Sequence, residues 1–236
     1  MSEEKGLVYI FTGDGKGKTS AALGVAMRAI GHEKRVVMIQ WYKERRWSIG
    51  EHELSKMLKG PLFKIYPMGQ GFYKLPTDHA TPKEHLKAAQ EALHLAKELL
   101  KDRRASETIV SRVGQRSQSL HQASVQPGLN EAPSSGTFGS LSVLSDGASV
   151  PSKQDRLAAP PLFLLVLDEV INAVNDGLLV LPDLLALLEL RGSTHLILTG
   201  RGAPKELVDI ADLVTEMKNV KHPYEEGRKA VLGLDF

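Results

Sequence analysis

The chain has 236 residues, no cysteine and a formal net charge of +2 at pH 7. This length suits one well-buried domain, and the small charge gives no reason to expect binding to nucleic acid or to a membrane. Without cysteine, the chain can form neither a disulfide framework nor a thiolate metal site. No apolar run approaches the ~18 residues of a membrane span, and residues 1–5 are polar and unlike a secretory signal. We therefore expect a cytoplasmic protein.

Residues 7–30 have the order strand, glycine-rich turn, helix. A phosphate-binding loop has this order, because backbone N–H groups at a helix N-terminus converge on an anion. We expect Lys18 to supply a mobile positive charge and the Thr19 hydroxyl to reach Mg²⁺. The usual pattern has its first glycine at the position of Thr12, whereas Gly13 comes one place late. A glycine-rich turn with a chance lysine is the alternative.

The next elements alternate between helix and strand. The first helix should end at Gly31, a typical residue after a helix C-terminus, and Gly24 inside it suggests close packing against a strand. The apolar run within 35–41 suits a strand that is covered on both faces. A short helix is predicted at 51–58 and a third strand at 63–66.

Two predicted loops follow these strands. The first, at 43–47, is highly charged, and the second, at 67–73, contains Phe72 after Gly71. Ligands of open α/β sheets bind at the carboxyl ends of the strands. Phe72 could therefore contact a ligand or anchor the loop in the core, and the sequence leaves both possibilities open.

The next predicted helix has a clear N-terminal capping signal, and the composition of the chain changes after it. Thr81 and Glu84 flank Pro82 in a capping box, and apolar residues recur at helical spacing as far as Leu100. Residues from about 103 to 160 are rich in Ser, Gln, Gly and Pro and have no sustained period, which favours a disordered insert without catalytic residues. We expect a single domain of residues 1–236 that this insert interrupts.

The second half of the chain adds carboxylates and an arginine. The apolar strand at 162–167 ends in Asp168 and Glu169. In phosphate-loop enzymes an acid at such a strand end holds Mg²⁺ directly or through water, although a buried strand with a chance acidic exit would look the same. A further strand at 195–199 leads to Arg201 between two glycines, where the guanidinium could contact phosphate or ribose.

The alternation of strands and helices predicts an α/β fold. We expect a mainly parallel sheet with helices on both faces, of the P-loop NTPase type. Such a sheet brings the glycine-rich turn, the acidic pair and the loop at 200–202 to one edge.

These segments together resemble the ATP:corrinoid adenosyltransferases of bacterial cobalamin biosynthesis. The resemblance rests on residues 12–19, 166–169, 199–204 and the tail at 211–223, and matching stretches cover 6–101 and 162–236. It implies transfer of the 5′-deoxyadenosyl group of ATP to the cobalt(I) of a corrinoid, with release of triphosphate, in biosynthesis or salvage. It also accounts for Thr12, since this family has such a shifted loop and holds ATP in the reverse sense, with the ribose 5′ carbon open to attack.

The resemblance assigns roles to individual residues. It implies catalytic roles for Lys18, Asp168 and Glu169, and a magnesium ion held by Thr19 and Glu169. From spacing alone, Asp168 is an equally good metal ligand. The implied ATP-binding residues are Gly13, Asp14, Gly15, Lys16, Gly17, Lys18, Thr19, Ser20 and Arg201.

Phe72 is the residue that the resemblance implies for corrinoid binding. Family enzymes favour a corrinoid without its lower axial ligand by placing hydrophobic side chains on that face, and Phe72 after Gly71 matches the family. Two positions later the family can have tryptophan, where this chain has Lys74. Tyr73 and Trp41 are candidates to compensate.

The resemblance also implies partners. We expect a homodimer and an electron donor such as a reduced flavoprotein. Two other functions stay open. A nucleotide kinase could use the same loop and carboxylates and would release ADP, and a non-catalytic ATP- or corrinoid-binding protein would release nothing.

Overall fold

The computed structural model of the chain describes residues 4–58, 60–76, 78–120 and 160–235. The strands are β1 (Val8–Thr12), β2 (Arg35–Gln40), β3 (Phe63–Pro67), β4 (Leu162–Asp168), β5 (His195–Thr199) and β6 (Leu213–Glu216). The helices are α1 (Lys18–Gly31), α2 (Gly50–Met57), α3 (Pro82–Leu120), α4 (Val170–Asn175), α5 (Leu181–Glu189) and α6 (Lys205–Ile210), followed by a 3₁₀ turn at Pro223–Glu226.

The strands form one six-stranded sheet in the order β3-β2-β4-β5-β1-β6. Every neighbouring pair is parallel, so all carboxyl ends lie at the same edge. This arrangement confirms the predicted α/β fold with a parallel sheet and is consistent with the P-loop NTPase type. It also brings the loops that follow the six strands together, as expected for a ligand-binding edge.

Helices cover both faces of the sheet. Alternate side chains of β2 point to opposite faces: Val36 and Met38 pack with α1, whereas Val37 and Ile39 pack with α3. The apolar runs of the sequence therefore reflect strands that are buried on both sides. Hydrophobic burial on the two faces stabilises the sheet that carries the loops.

Helix α1 packs on the sheet through small side chains. Ala22, Ala26 and Ala29 are buried against the strands. Gly24 points away from them, and a Cβ added there would meet no atom within 4 Å. The prediction that Gly24 packs closely against a strand is therefore wrong, because the alanine stripe already occupies the sheet-facing side.

Helix α3 begins as predicted and continues further than predicted. Thr81 N–H donates to Glu84 Oε2 over 2.7 Å and Glu84 N–H to Thr81 Oγ1 over 3.3 Å, which confirms the capping box. The helix runs through Leu120, past residue 103 where the sequence indicated the start of an unstructured insert. No proline lies between Pro82 and Pro127 to stop it. The rest of the expected insert, 121–159, lies outside the described residues.

No helix in the described ranges has both the length and the apolar character needed to cross a membrane.

Candidate active site

The glycine loop, residues 13–17, bends tightly between β1 and α1. Gly13 has φ 98° and Gly17 has φ 115°, values that residues with a side chain rarely adopt. Gly15 N–H donates to Met217 O over 2.7 Å, and a Cβ on Gly13 would lie only 2.3 Å from that carbonyl oxygen. The loop therefore requires glycine both for its backbone angles and for its contact with the chain after β6.

Thr12 has a structural role at the position where the usual pattern has glycine. It is the last residue of β1 and pairs with Glu216 of β6. Its hydroxyl accepts a hydrogen bond from Ala203 N–H over 3.1 Å. The shifted glycine thus leaves room for a threonine that joins the glycine loop to the loop after β5.

Lys18, the first residue of α1, bends back over the glycine loop. Its Nζ donates to Gly13 O and Gly15 O, each over 2.7 Å. Burial lowers the pKa of Lys18, and the nearby Arg201 guanidinium lowers it further, while Asp14 and the carboxylates after β4 act in the opposite direction. A mobile ammonium at the centre of the loop is suited to neutralise a phosphate.

Asp168, the last residue of β4, is completely buried. Its Oδ1 accepts from Thr19 Oγ1 over 2.9 Å and from Thr199 Oγ1 over 2.7 Å, and its Oδ2 accepts from Gln40 Nε2 over 3.1 Å. Burial raises the pKa of Asp168, and these three hydrogen bonds oppose the rise. Asp168 therefore links β4, β5, β2 and α1 at the edge of the sheet.

Glu169, the next residue, has a left-handed backbone conformation and a buried carboxylate oxygen without a hydrogen-bond partner among the described residues. Its φ of 61° lies in the left-handed region, and its N–H donates to Thr199 Oγ1 over 2.8 Å. Among the described residues, the buried Oε2 atom has no hydrogen-bond partner. Burial is the main cause that raises the pKa of Glu169 to about 7, and the negative charge of Asp168 is the second. The positive charges of Lys43, Lys18 and Arg201 oppose this rise. A buried carboxylate oxygen with no partner among the described residues, next in the chain to a carboxylate that accepts from the Thr19 hydroxyl, fits a hard divalent cation such as Mg²⁺.

Arg201 is held on the loop after β5. Its N–H donates to Asn172 Oδ1 and its carbonyl accepts from Asn175 Nδ2, each over 2.7 Å. Gly200 has φ 145°, and a Cβ there would lie 2.7 Å from Ile171 Cβ. Arg201 and Lys18 share a pocket of about 410 Å³. The other lining residues are Asp14, Gly15, Lys16, Asn219, His222, Tyr224 and Glu225.

The remaining loop residues lie around this pocket. Asp14 and Lys16 are exposed, and Lys16 pairs with Asp235 of the C-terminal tail. Ser20 is exposed in the first turn of α1. Of the predicted loop residues, the pocket brings Asp14, Gly15, Lys16 and Lys18 together with Arg201, and Thr19, which follows Lys18, donates to Asp168.

An aromatic pair, Trp47 and Phe72, lies at the same edge of the sheet. Their ring centroids are 5.4 Å apart, and Phe72 is 40% exposed, so Phe72 is not a core anchor. Lys43 Nζ lies 5.5 Å from the Trp47 ring centroid and 5.8 Å from that of Phe72. The sequence analysis missed Trp47, although a tryptophan in a charged loop directly after β2 was a usable signal.

The two residues expected to compensate for Lys74 lie elsewhere. Trp41 is 4% exposed, and its indole N–H donates to Ala89 O over 3.3 Å, so it belongs to the core. The suggestion that Trp41 faces a ligand is therefore wrong. Tyr73 is partly buried and packs on His85 with centroids 4.9 Å apart. Trp47, rather than either of these, is the aromatic side chain beside Phe72.

A buried series of polar contacts connects Asp168 to the Trp47 loop. Gln40, the last residue of β2, has its Oε1 2.7 Å from His52 Nε2, and His52 Nδ1 lies 3.2 Å from Trp47 O. Burial lowers the pKa of His52, while the Trp47 carbonyl and the Glu51 carboxylate oppose this fall. The sequence analysis missed both polar residues. A glutamine that ends a strongly apolar strand was the available signal.

Comparisons with known proteins agree on one family. The model of the family described as ATP:corrinoid adenosyltransferase BtuR/CobO/CobP matches residues 4–117 and 147–236. The first matched stretch extends beyond residue 101, where the resemblance in the sequence ended, and leaves 118–146 between the two stretches.

Three curated proteins match along nearly the whole chain. A corrinoid adenosyltransferase of Sinorhizobium sp is 28% identical over 235 residues, which are 100% of this chain and 82% of that protein. Corrinoid adenosyltransferase CobA of Salmonella typhimurium is 28% identical over 235 residues, 99% of this chain and 87% of that protein. The corrinoid adenosyltransferase of Escherichia coli K12 is 29% identical over 234 residues, with the same two coverages of 99% and 87%. With a family match over most of its length, this chain belongs to the ATP:corrinoid adenosyltransferase family.

Proposed function

We propose that this protein transfers the 5′-deoxyadenosyl group of ATP to the cobalt(I) of a corrinoid and releases triphosphate, in cobalamin biosynthesis or salvage. The observation that carries the proposal is the presence of two different surfaces at one sheet edge. One is a pocket with Lys18 and Arg201 that suits a polyanion, and the other is the aromatic pair of the exposed Phe72 and the partly buried Trp47, which suits a large apolar ring. Membership of the adenosyltransferase family supports this assignment.

The triphosphate of ATP is the ligand proposed for the glycine loop. Its backbone N–H groups, Lys18 and Arg201 provide donors and positive charge around the pocket. In the proposed reverse orientation the loop holds the terminal phosphate, and the ribose 5′ carbon points to open space. The proposed ATP-binding residues are Gly13, Asp14, Gly15, Lys16, Gly17, Lys18, Thr19, Ser20 and Arg201.

Thr19 and Glu169 are the proposed ligands of a magnesium ion. The described residues contain no cluster of three or more His, Cys, Asp or Glu side chains, so further ligands would be phosphate oxygens or water. When bound, the ion would add positive charge next to the triphosphate. Asp168 orients the Thr19 hydroxyl through their 2.9 Å hydrogen bond.

The reaction needs positioning and charge neutralisation rather than a general base. Cobalt(I) is a nucleophile that carries no proton to remove. The cobalt–carbon bond forms as the bond between the 5′ carbon and the triphosphate oxygen breaks, and the electron pair of that bond leaves with triphosphate. Lys18 and Arg201 neutralise the charge that develops on the leaving group, and the site holds both reactants in line.

The aromatic pair is the proposed platform for the corrinoid. Apolar rings against one face of the corrin would favour the form without a lower axial ligand, in which cobalt(II) is easier to reduce. Trp47 supplies the second ring at a position that the family resemblance did not indicate. An electron donor such as a reduced flavoprotein is the proposed source of the electron.

The state and location of the protein are also proposals. We infer a cytoplasmic homodimer with a single domain of residues 1–236, interrupted by the insert expected at about 103–160. The family resemblance supports the dimer.

Incubation with ATP, Mg²⁺ and chemically reduced cobalamin tests the proposed reaction. We expect triphosphate and a light-sensitive product with a cobalt–carbon bond. Release of ADP would instead support a nucleotide kinase, and binding without any product would support a non-catalytic binding protein. Lys205→Ala is a suitable control for loss of one positive charge, because Lys205 is exposed on α6 and pairs with Asp209.

A further inference from the structure

We propose that Gln40 and His52 are positioning residues that connect Asp168 to the backbone of Trp47. They fix the position of the aromatic pair relative to the nucleotide site. We call these two residues the relay. This inference rests on the proposed function for the identity of the two ligands. The contacts themselves are observed in the structure.

The relay is a continuous series of short contacts across three elements. Asp168 Oδ2, at the end of β4, accepts from Gln40 Nε2 over 3.1 Å. Gln40 Oε1 is 2.7 Å from His52 Nε2, and His52, on α2, places Nδ1 3.2 Å from Trp47 O. Since Asp168 Oδ1 also accepts from Thr19 Oγ1, the series runs from the proposed cation ligand to the backbone of the aromatic loop.

The relay is shielded from water. Gln40 and Asp168 have 0% exposure and His52 has 7%. Inside a protein, a polar group that loses its partner cannot turn to water, so each member fixes the orientation of the next. The Asp168 carboxylate can only accept, which directs the Gln40 NH₂ towards Asp168 and the Gln40 carbonyl towards His52. Trp47 O and Gln40 Oε1 both accept, so His52 donates to both only when both ring nitrogens carry a proton; the neutral ring makes one of the two hydrogen bonds and keeps the other acceptor in contact.

The two ends of the relay belong to different substrate surfaces. At one end, Asp168 accepts from Thr19 and directly precedes Glu169 in the chain. At the other end, the loop carries the Trp47 ring, which packs on Phe72 at 5.4 Å. Neither Gln40 nor His52 reaches the pocket around Lys18, so both act through other residues. A charge bound next to Thr19 acts on Asp168 and, through the relay, on the peptide of Trp47.

Trp47 itself provides the readout. The chain has two tryptophans, so Trp41→Phe leaves Trp47 as the sole tryptophan and keeps an aromatic ring at the buried position 41. We expect addition of Mg·ATP, without corrinoid, to change the emission of Trp47 in this parent protein. The coupling requires no turnover, so the measurement does not depend on adenosyl transfer.

Two substitutions at His52 separate the ends of the relay. The amide of glutamine extends about as far as His52 Nε2 and that of asparagine about as far as Nδ1, so we expect His52→Gln to keep the contact with Gln40 and His52→Asn to keep the contact with Trp47 O. We expect both variants to bind Mg·ATP, measured by calorimetry, with an emission response at least about 5-fold smaller than that of the parent. A response of the parent's size in either variant would overturn the relay.

Thr194→Val is the matched control. Thr194 is fully buried and its hydroxyl donates to Leu162 O over 2.9 Å at the opposite edge of the sheet. This variant loses a buried hydrogen bond of the same kind and should keep the full Trp47 response. Equal loss of the response in the control would show a general effect of reduced stability and would refute the relay.

A measurement on the unmodified protein covers the case that the His52 variants do not fold. Amide hydrogen exchange in residues 41–52 should slow when Mg·ATP binds, and unchanged exchange would contradict the proposal.

A Trp41→Phe parent whose Trp47 emission responds to Mg·ATP but that gives no adenosylated product would refute the proposed reaction and leave the relay intact. A parent that binds Mg·ATP with no Trp47 response would refute the relay.

Discussion

Replacement of Glu169 by glutamine should make the metal-free protein more stable while it removes the proposed metal ligand. Glu169 lies next to the buried Asp168 carboxylate, and its Oε2 has no partner among the described residues. Burial and that neighbouring charge raise its pKa from 4.5 to about 7. Ionised Glu169 therefore lowers the stability of the folded chain, and a neutral side chain of the same shape would remove this electrostatic cost.

The size of the gain follows from the pKa. At about 1.4 kcal/mol per pKa unit, the rise from 4.5 to about 7 makes ionisation of Glu169 roughly 3 kcal/mol less favourable in the folded chain. The buried amide of glutamine would also lack a partner, at a cost of about 1 kcal/mol. We therefore expect Glu169→Gln to raise the free energy of unfolding by about 2 kcal/mol above about pH 7.

The raised pKa of Glu169 also determines how the free energy of unfolding changes with pH. Because the folded-state pKa is raised, the folded chain binds more protons than the unfolded chain between pH 4.5 and about 7. The stability of the wild type should fall as pH rises through this window, whereas the Glu169→Gln protein lacks this contribution. The advantage of the variant should therefore be small near about pH 5 and fully developed near about pH 8.

Thermal unfolding in EDTA at these two pH values measures the effect. A gain of about 2 kcal/mol corresponds to a rise in Tm of roughly 4–8 °C for a domain of this size. Glu53→Gln is the control, because Glu53 is exposed, pairs with Lys56 and should show a small change at both pH values. An equal Tm difference for Glu169→Gln at both pH values, or a less stable variant near about pH 8, would refute this account of Glu169.

Three further predictions concern the loop and the aromatic pair. Lys18→Ala should reduce turnover by on the order of 100-fold or more through lost charge stabilisation, measured as triphosphate release, and near-normal turnover would exclude the assigned role. Phe72→Ala should impair the reaction more with cobalt(II) plus reductant than with pre-formed cobalt(I), and equal losses in the two assays would count against the platform. Gly13→Ala should lower Tm, since its Cβ would meet Met217 O at 2.3 Å, whereas Gly24→Ala should stabilise α1 by about 1 kcal/mol. Two glycines with the same response in thermal unfolding would contradict the loop geometry.

The phosphate-binding features were predictable because their chemistry is local in the sequence. A strand, a glycine-rich turn and a helix follow one another within residues 7–31, and the acidic pair directly follows an apolar run. Parallel strands then place Lys18, Glu169 and Arg201 at the same sheet edge without any knowledge of side-chain contacts. The alternation of elements likewise predicted the sheet with helices on both faces.

Other expectations failed where local signals were weak. Trp41 and Trp47 both follow β2, and only packing shows that the first enters the core while the second lies beside Phe72. The change of composition near residue 103 indicated the end of a helix, yet α3 continues to Leu120. Composition shifts helix propensity by only a few tenths of a kcal/mol per residue, so it locates helix ends poorly.

By itself, the amino-acid sequence determined the order of the elements, the glycine loop and the acidic strand end, because each depends on neighbouring residues. Only the tertiary structure decided which distant side chains meet. Gln40, His52 and Asp168 come from separate elements, and their hydrogen bonds form because the folded chain buries all three away from water. The fold also buries Glu169 Oε2 without a partner among the described residues, and the resulting desolvation raises its pKa.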